Sequence, residues 1–462
     1  MLVPMSPADA VFLLAESREH PMHVGSLQLF EPPEGATALD VRAMFDAAIA
    51  EDQIAPLFHK RARRSVTTLG QWGWETDVEF DLEHHVRRNA LPQPGRVLEL
   101  LALCSRLHSS LLDRHRPLWE LHLIEGLDDG RFALYFKAHH ALVDGVSALR
   151  LLSRMLDEDG TRRDMPPPWA PRMRAPRESS GSPLAGMPMN ALRGAADAMG
   201  EMAGLVPAIA RTVNRGLNDQ GAPLSFSAPR SMFNVQITGA RRFAAQSWPI
   251  DRIRGVGKAS GTTVNDVVLA MCSGALRAYM LGLDALPDAP LVAMVPVSLH
   301  GDESESGDGG GNAVGAVMCN LGTHLDDPAD RLATVHQSML EGKESMKGLS
   351  QGQVLVMSAL GLSPLLLWPA GLGNAVRPPF NLVISNVPGP RKPMYWNGAR
   401  LDGLYPLSIP MDGQALNITC TSYSDEIAFG LTGCRRSVPH LQRLLTHLDE
   451  ELCALEKAAG VE

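Results

Sequence analysis

The run Lys137-Ala138-His139-His140-Ala141-Leu142-Val143-Asp144-Gly145 decides how this chain reads. Before it, Phe132, Leu134 and Phe136 recur at every second position, the period of a strand with one apolar face. After it, Val146, Leu149, Leu152, Met155 and Leu156 recur at helical spacing. Asp144 stands where a helix N-cap stands. The histidines therefore fall on a strand-to-helix turn, where a rigid scaffold presents side chains to a ligand. Carried through, the alternation puts His140 on the apolar face of Phe132, Leu134 and Phe136. Desolvation there lowers an imidazole's pKa and keeps it neutral, hence a base, at pH 7. Adjacent histidines on a strand point to opposite faces, so no metal ion is expected between them.

Working outward, Pro117-Leu118-Trp119 opens the preceding strand, and Gly126-Leu127-Asp128-Asp129-Gly130 has the residues of a hairpin turn. Trp119 then lies at the His140 end of the hairpin, as core or as a wall of the site. Towards the N-terminus, Ser6 can cap a helix that Pro7 starts, with Ala10, Val11, Leu13 and Leu14 as its expected buried stripe. His23 to Phe30 reads as a core strand. Downstream, Thr263 opens a helix with Asn265 and Asp266 in its first turn, where an acid suits the helix dipole. Phe380 to Val387 reads as a buried strand stopped by Pro388-Gly389-Pro390. Residues 348–376 carry no charged side chain, and Pro364 and Pro369 break them into two apolar helices. Leu366 and Trp368 within them offer a surface for acyl chains.

At 462 residues the chain exceeds one ordinary core and suggests two domains. Hydrophobic and charged contents of 45% and 20% are those of a globular protein. A net charge of −9 argues against nucleic acid as the main partner. One basic run, Lys60-Arg61-Ala62-Arg63-Arg64, is a solvated turn or a contact for phosphates or anionic headgroups. The six cysteines are scattered without a Cys-x-x-Cys pair, so neither zinc nor a redox motif is suggested. No Gly-x-Ser-x-Gly elbow points to a serine hydrolase. Composition divides the chain into residues 1–159, a Pro-rich linker and bridging helix over 160–225, and residues 226–462. Both halves mix strands and helices in the α+β manner.

The spacing His139-His140-x-x-x-Asp144-Gly145 is similar to the motif of coenzyme-A-dependent acyltransferases. With Pro117-Leu118-Trp119, Asn265-Asp266, Ser385-Asn386-Val387-Pro388-Gly389-Pro390 and Pro21-Met22-His23-Val24-Gly25, the chain resembles the bacterial wax ester synthase/acyl-CoA:diacylglycerol acyltransferase family over nearly its whole length. The resemblance implies two chloramphenicol-acetyltransferase-like α+β domains with the site in a channel between them. It implies transfer of a long acyl chain from acyl-CoA to diacylglycerol or a long-chain alcohol, with no permanently bound cofactor. His140 would be the general base. His139 and Asp144 would hold the turn, and Gly145 would permit its bend. Asn265 would face the histidines, and it or backbone N–H groups would hold the oxyanion. Trp119, Asn386, Leu366 and Trp368 would meet substrate. Such a protein is expected in the cytoplasm, peripheral on the inner face of the plasma membrane or on lipid inclusions. Other readings stay open: a condensation-type enzyme using carrier-bound thioesters, an inactive lipid-binding homologue, or a small-molecule acetyltransferase.

Overall fold

The computed structural model describes residues 2–64, 70–171, 228–298, 314–346 and 377–461. The bridging helix expected within 160–225 and the apolar stretch 348–376, with Leu366 and Trp368, lie outside the described residues.

The first half runs β1 (Val3–Pro4), α1 (Pro7–Ala15), β2 (His23–Glu31), α2 (Ala38–Ile49), β3 (Lys60–Arg64), β4 (Trp72–Thr76), α3 (Leu82–His85), β5 (Val86–Ala90), α4 (Val97–Ser109), β6 (Trp119–Glu125), β7 (Phe132–His139) and α5 (Gly145–Ser153). The second runs β8 (Arg241–Pro249), α6 (Ile250–Ser260), α7 (Val264–Leu281), β9 (Val292–Ser298), β10 (Val314–Asn320), α8 (Pro328–Met346), β11 (Leu382–Val387), β12 (Tyr395–Trp396), β13 (Ala399–Leu407), β14 (Leu416–Tyr423), β15 (Glu426–Cys434) and α9 (Arg443–Ala459). Two six-stranded mixed sheets result, ordered β12-β13-β2-β7-β6-β5 and β10-β9-β11-β14-β15-β8, with a small sheet β1-β4-β3 beside the first.

Strand β7 is buried on both faces, beyond the single apolar face that its alternation predicts. Phe132, Leu134, Phe136 and Ala138 join Trp119 and Phe45 of α2 in one core. Ala133 and Tyr135 face the other way, onto Leu100, Leu103 and Cys104 of α4. In the second sheet, Ile384 of β11 and Phe429 of β15 pack under α7, whose Val267 to Cys272 are all buried. Helix α4 joins the halves: Ser105 and Ser109 accept the backbone N–H groups of Phe243 and Arg241 on β8.

Three expectations need correction. Residues 226–462 do not form a self-contained domain, because β12 and β13 cross into the first sheet, where β13 pairs antiparallel with β2 from Arg400↔Glu31 to Leu407↔Gly25. In α1, Leu13 is buried, but Val11 and Leu14 point outward. The basic run is strand β3, and much of its charge is spent within the small sheet. Arg61 and Arg63 both pair with Glu75, and Arg64 lies 4.6 Å over the Trp72 ring.

Candidate active site

Strand β7 stops at His139, and His140 is the first residue of the turn. The turn is built by its own residues. His139 O accepts the N–H groups of Leu142 (2.8 Å) and Val143 (3.2 Å). Asp144 then caps α5, its Oδ1 accepting the Ser147 N–H at 2.7 Å. Gly145 departs from expectation. It has no left-handed φ, and a Cβ there would meet nothing within 4 Å. The bend does not require glycine; what glycine leaves is open space at the start of α5, beside the turn.

The two imidazoles do different things. His139 is fully buried. Its Nδ1 accepts the Ala141 N–H at 3.1 Å, which leaves the ring proton on Nε2. That Nε2 lies 3.4 Å from Glu16 Oε2. His139 is thus a fixed piece of the turn. His140 is half-buried, and its ring stacks on Phe12 with centroids 4.1 Å apart and planes 19° apart. Burial lowers its pKa below the ordinary imidazole value, against the opposing pull of Asp144 and of its own backbone. A neutral imidazole keeps one ring nitrogen with a lone pair that can take a substrate proton.

Helix α1 supplies what the sequence reading missed. Asp9, Phe12 and Glu16 fall at helical spacings of three and four on the side facing the histidines, and that spacing was the available signal. Phe12 stacks on His140, Asp9 is among the charges that act on it, and Glu16 meets His139.

Behind the turn lies a buried polar cluster. Lys137 is wholly buried, 3.2 Å from Glu120, and donates to the carbonyls of Leu107 and Ser110. Next to it, His23 Nε2 lies 2.9 Å from His108 O, and His108 Nδ1 lies 2.8 Å from the Tyr135 hydroxyl. Trp119 belongs to the core. It is 1% exposed, donates its ring N–H to Phe58 O at 2.9 Å, and stacks on His85.

In the second half, two separate motifs come together. Thr263 and Asp266 form a capping box at the start of α7, and Asp266 also lies 2.8 Å from His336 Nδ1. Asn265, half-buried in that first turn, accepts from Asn386 Nδ2 on β11 at 3.4 Å. The bond joins two motifs that the sequence reading had left unpaired. One residue on, Val387 packs against the core of the first sheet. Gly389 must be glycine, since a Cβ there would lie 2.2 Å from Ser422 O.

Comparison with known proteins gives a consistent answer. Residues 5–268 match a family described as the wax ester synthase/diacylglycerol acyltransferase catalytic domain, and residues 310–456 match the corresponding C-terminal domain. A Mycobacterium tuberculosis protein that carries the name of a diacylglycerol O-acyltransferase is 54% identical over 462 residues, 99% of this chain and 100% of that protein. A Mycobacterium bovis protein of the same name is 53% identical over 460 residues, 99% of each. The solved wax ester synthase/diacylglycerol acyltransferase from Marinobacter aquaeolei VT8 is similar with 45% identity and a TM-score of 0.80, covering 99% of this chain and 100% of that one. The first condensation domain of the calcium-dependent antibiotic synthetase, 18% identical with a TM-score of 0.57 over 99% of this chain and 96% of that one, shares the fold.

Proposed function

The chain belongs to the wax ester synthase/diacylglycerol acyltransferase family, and on that premise we propose that His140 is the general base of its acyl transfer. The enzyme is an O-acyltransferase that moves a long acyl chain from acyl-CoA to diacylglycerol, giving triacylglycerol, or to a long-chain alcohol, giving a wax ester. The observation that carries the mechanism is a half-buried imidazole, stacked on Phe12 and kept neutral by burial. The imidazole takes the proton of the acceptor hydroxyl as its oxygen attacks the thioester carbonyl. The tetrahedral oxyanion collapses, the carbon–sulfur bond breaks, and the departing thiolate takes the proton back from the imidazole as free coenzyme A. A positioned general base is worth about 10²–10⁴-fold in rate.

The motif holds no nucleophile, so attack is direct and no acyl-enzyme forms. Asn265, fixed by Asn386 at the N-terminal end of α7, is the side-chain candidate for holding the oxyanion. Acyl-CoA is a co-substrate, and the reaction needs no resident cofactor. The protein works from the cytoplasm, peripherally at the inner face of the plasma membrane or on lipid inclusions. Supporting this, both acceptors are lipids, and α1 turns Val11 (54% exposed) and Leu14 (63% exposed) outward.

The test offers purified protein palmitoyl-CoA with diacylglycerol and hexadecanol in competition, the products being separated by thin-layer chromatography. Wild type forms triacylglycerol, wax ester or both. His140→Ala forms neither while still binding lipid; unchanged transfer by that variant refutes the mechanism.

A further inference from the structure

Resting on the reading of His140 as the base, we propose that Glu16 is its positioning residue, a buried carboxylate that pins both peptide groups flanking the imidazole. Glu16 is the C-cap residue of α1, and its side chain is 1% exposed. Oε1 accepts from Arg114 Nε at 2.8 Å. Oε2 accepts the Met22 N–H at 3.3 Å and lies 3.4 Å from His139 Nε2.

Two short paths lead from this carboxylate to His140. Along the first, Glu16 holds the Met22 N–H, and the Met22 carbonyl accepts the His140 N–H at 2.8 Å. Along the second, Glu16 faces His139 Nε2, and His139 Nδ1 accepts the Ala141 N–H at 3.1 Å. The N–H groups before and after the His140 α-carbon are therefore each tied to a group that Glu16 reaches, by a hydrogen bond at Met22 and by a 3.4 Å charge contact at His139. Phe12, one helical turn earlier on the same face, stacks on the ring itself.

A charge buried this completely is costly unless paired and hydrogen-bonded. Burial pushes the Glu16 carboxyl up, but His139 and Arg114 outweigh it and hold the group below its ordinary value. Glu16 is ionised at neutral pH, and a carboxylate can only accept. It therefore orients the His139 Nε2–H towards itself and reserves Nδ1 for the turn. Glutamine would keep size and shape, but it would lose the charge that faces His139. Arg114 differs: besides Glu16 Oε1 it donates to the carbonyls of Leu13 and Glu16 at the end of α1, and none of these bonds goes to Met22, His139 or His140.

The experiment compares Glu16→Gln with Arg114→Met in the full chain. Thermal unfolding, kcat and KM for palmitoyl-CoA transfer, and titration of the His140 ring by NMR are all read. The His140 signal is assigned with His140→Gln. Charges facing that ring are Asp9 from α1, Asp144 from the turn and His139 beside it, and neither variant alters any of them. Glu16→Gln should lower kcat by about 10–100-fold with KM changed less than twofold, as a displaced base does. It should also move the His140 titration up towards the ordinary imidazole value as the ring gains water. Arg114→Met should lose at least as much thermal stability with a smaller loss of kcat. Losses of kcat that follow thermal stability equally in both variants, or an unmoved His140 titration in Glu16→Gln, overturn the proposal. The titration reads the hold on the ring directly. A wild-type protein that transfers no acyl group would instead refute the reaction.

Discussion

Glu120→Gln should cost the folded protein about 3 kcal/mol at pH 7, and almost nothing near pH 2. Burial pushes the Glu120 carboxyl up, but His122, Lys137 and Arg87 outweigh it and bring it down to about 2 from an ordinary 4.5. At about 1.36 kcal/mol per pH unit, that gap is worth ~3 kcal/mol. The folded-state value is the depressed one. The contribution is therefore complete above pH 4.5 and disappears as pH falls through about 2. Burial meanwhile draws Lys137 below its ordinary value, against the opposing pull of Glu120. In the variant the buried amine loses its carboxylate partner. The assay is urea unfolding of wild type and Glu120→Gln from pH 7 to pH 2. The difference between the two curves, not either curve alone, isolates this carboxylate from every other. Glu120→Gln/Lys137→Met should recover much of the loss, since a buried pair replaced as a whole is often neutral. A difference that stays constant with pH, or a double variant worse than both singles together, would refute the reasoning.

The active-site turn offers further tests. Only neutral His140 is a base, and burial places its pKa below 6.5, so the acid limb of the kcat/KM profile should lie below that value. Phe12→Ala, which removes the stacked ring, should move that limb upward. Gly145→Ala should leave the unfolding free energy within about 0.5 kcal/mol of wild type by thermal unfolding, because its φ is ordinary and its Cβ meets nothing. Gly389→Ala should cost about 1–3 kcal/mol in the same measurement, because its Cβ meets a backbone oxygen. If Asn265 holds the oxyanion, Asn265→Ala should lower kcat by about 10²–10³-fold with KM unchanged, and Asn386→Ala by less. Equal, small losses in the two variants would assign both residues to structure alone.

The histidine turn was readable because two periods meet there. A period of two ends at His139, a helical period begins beyond Asp144, and each determines which way side chains point. Helix α1 was readable as a helix but not in its orientation. Its residues Ala10, Val11, Phe12, Leu13 and Leu14 are apolar on every side, so composition could not choose the face that turns inward. The choice is made by Glu16 and Phe12, whose partners lie far along the chain. Long-range pairing hid the rest. Strand β13 is legible as a strand, but nothing local in Ala399 to Leu407 names β2 as its neighbour. Likewise, the meeting of Asn265 with Asn386 joins positions 121 residues apart.

The exchange of β13 has a mechanical outcome. A peptide bond severed between the two halves would not release them, because a ladder running from Arg400↔Glu31 to Leu407↔Gly25 would still stitch the pieces together. The first half produced alone would carry β2 with a naked margin of N–H and C=O groups, an invitation to self-association. Strand β2 also bears Val24, two residues after the carbonyl that accepts the His140 N–H, so the strand that β13 locks in place leads straight into the histidine turn.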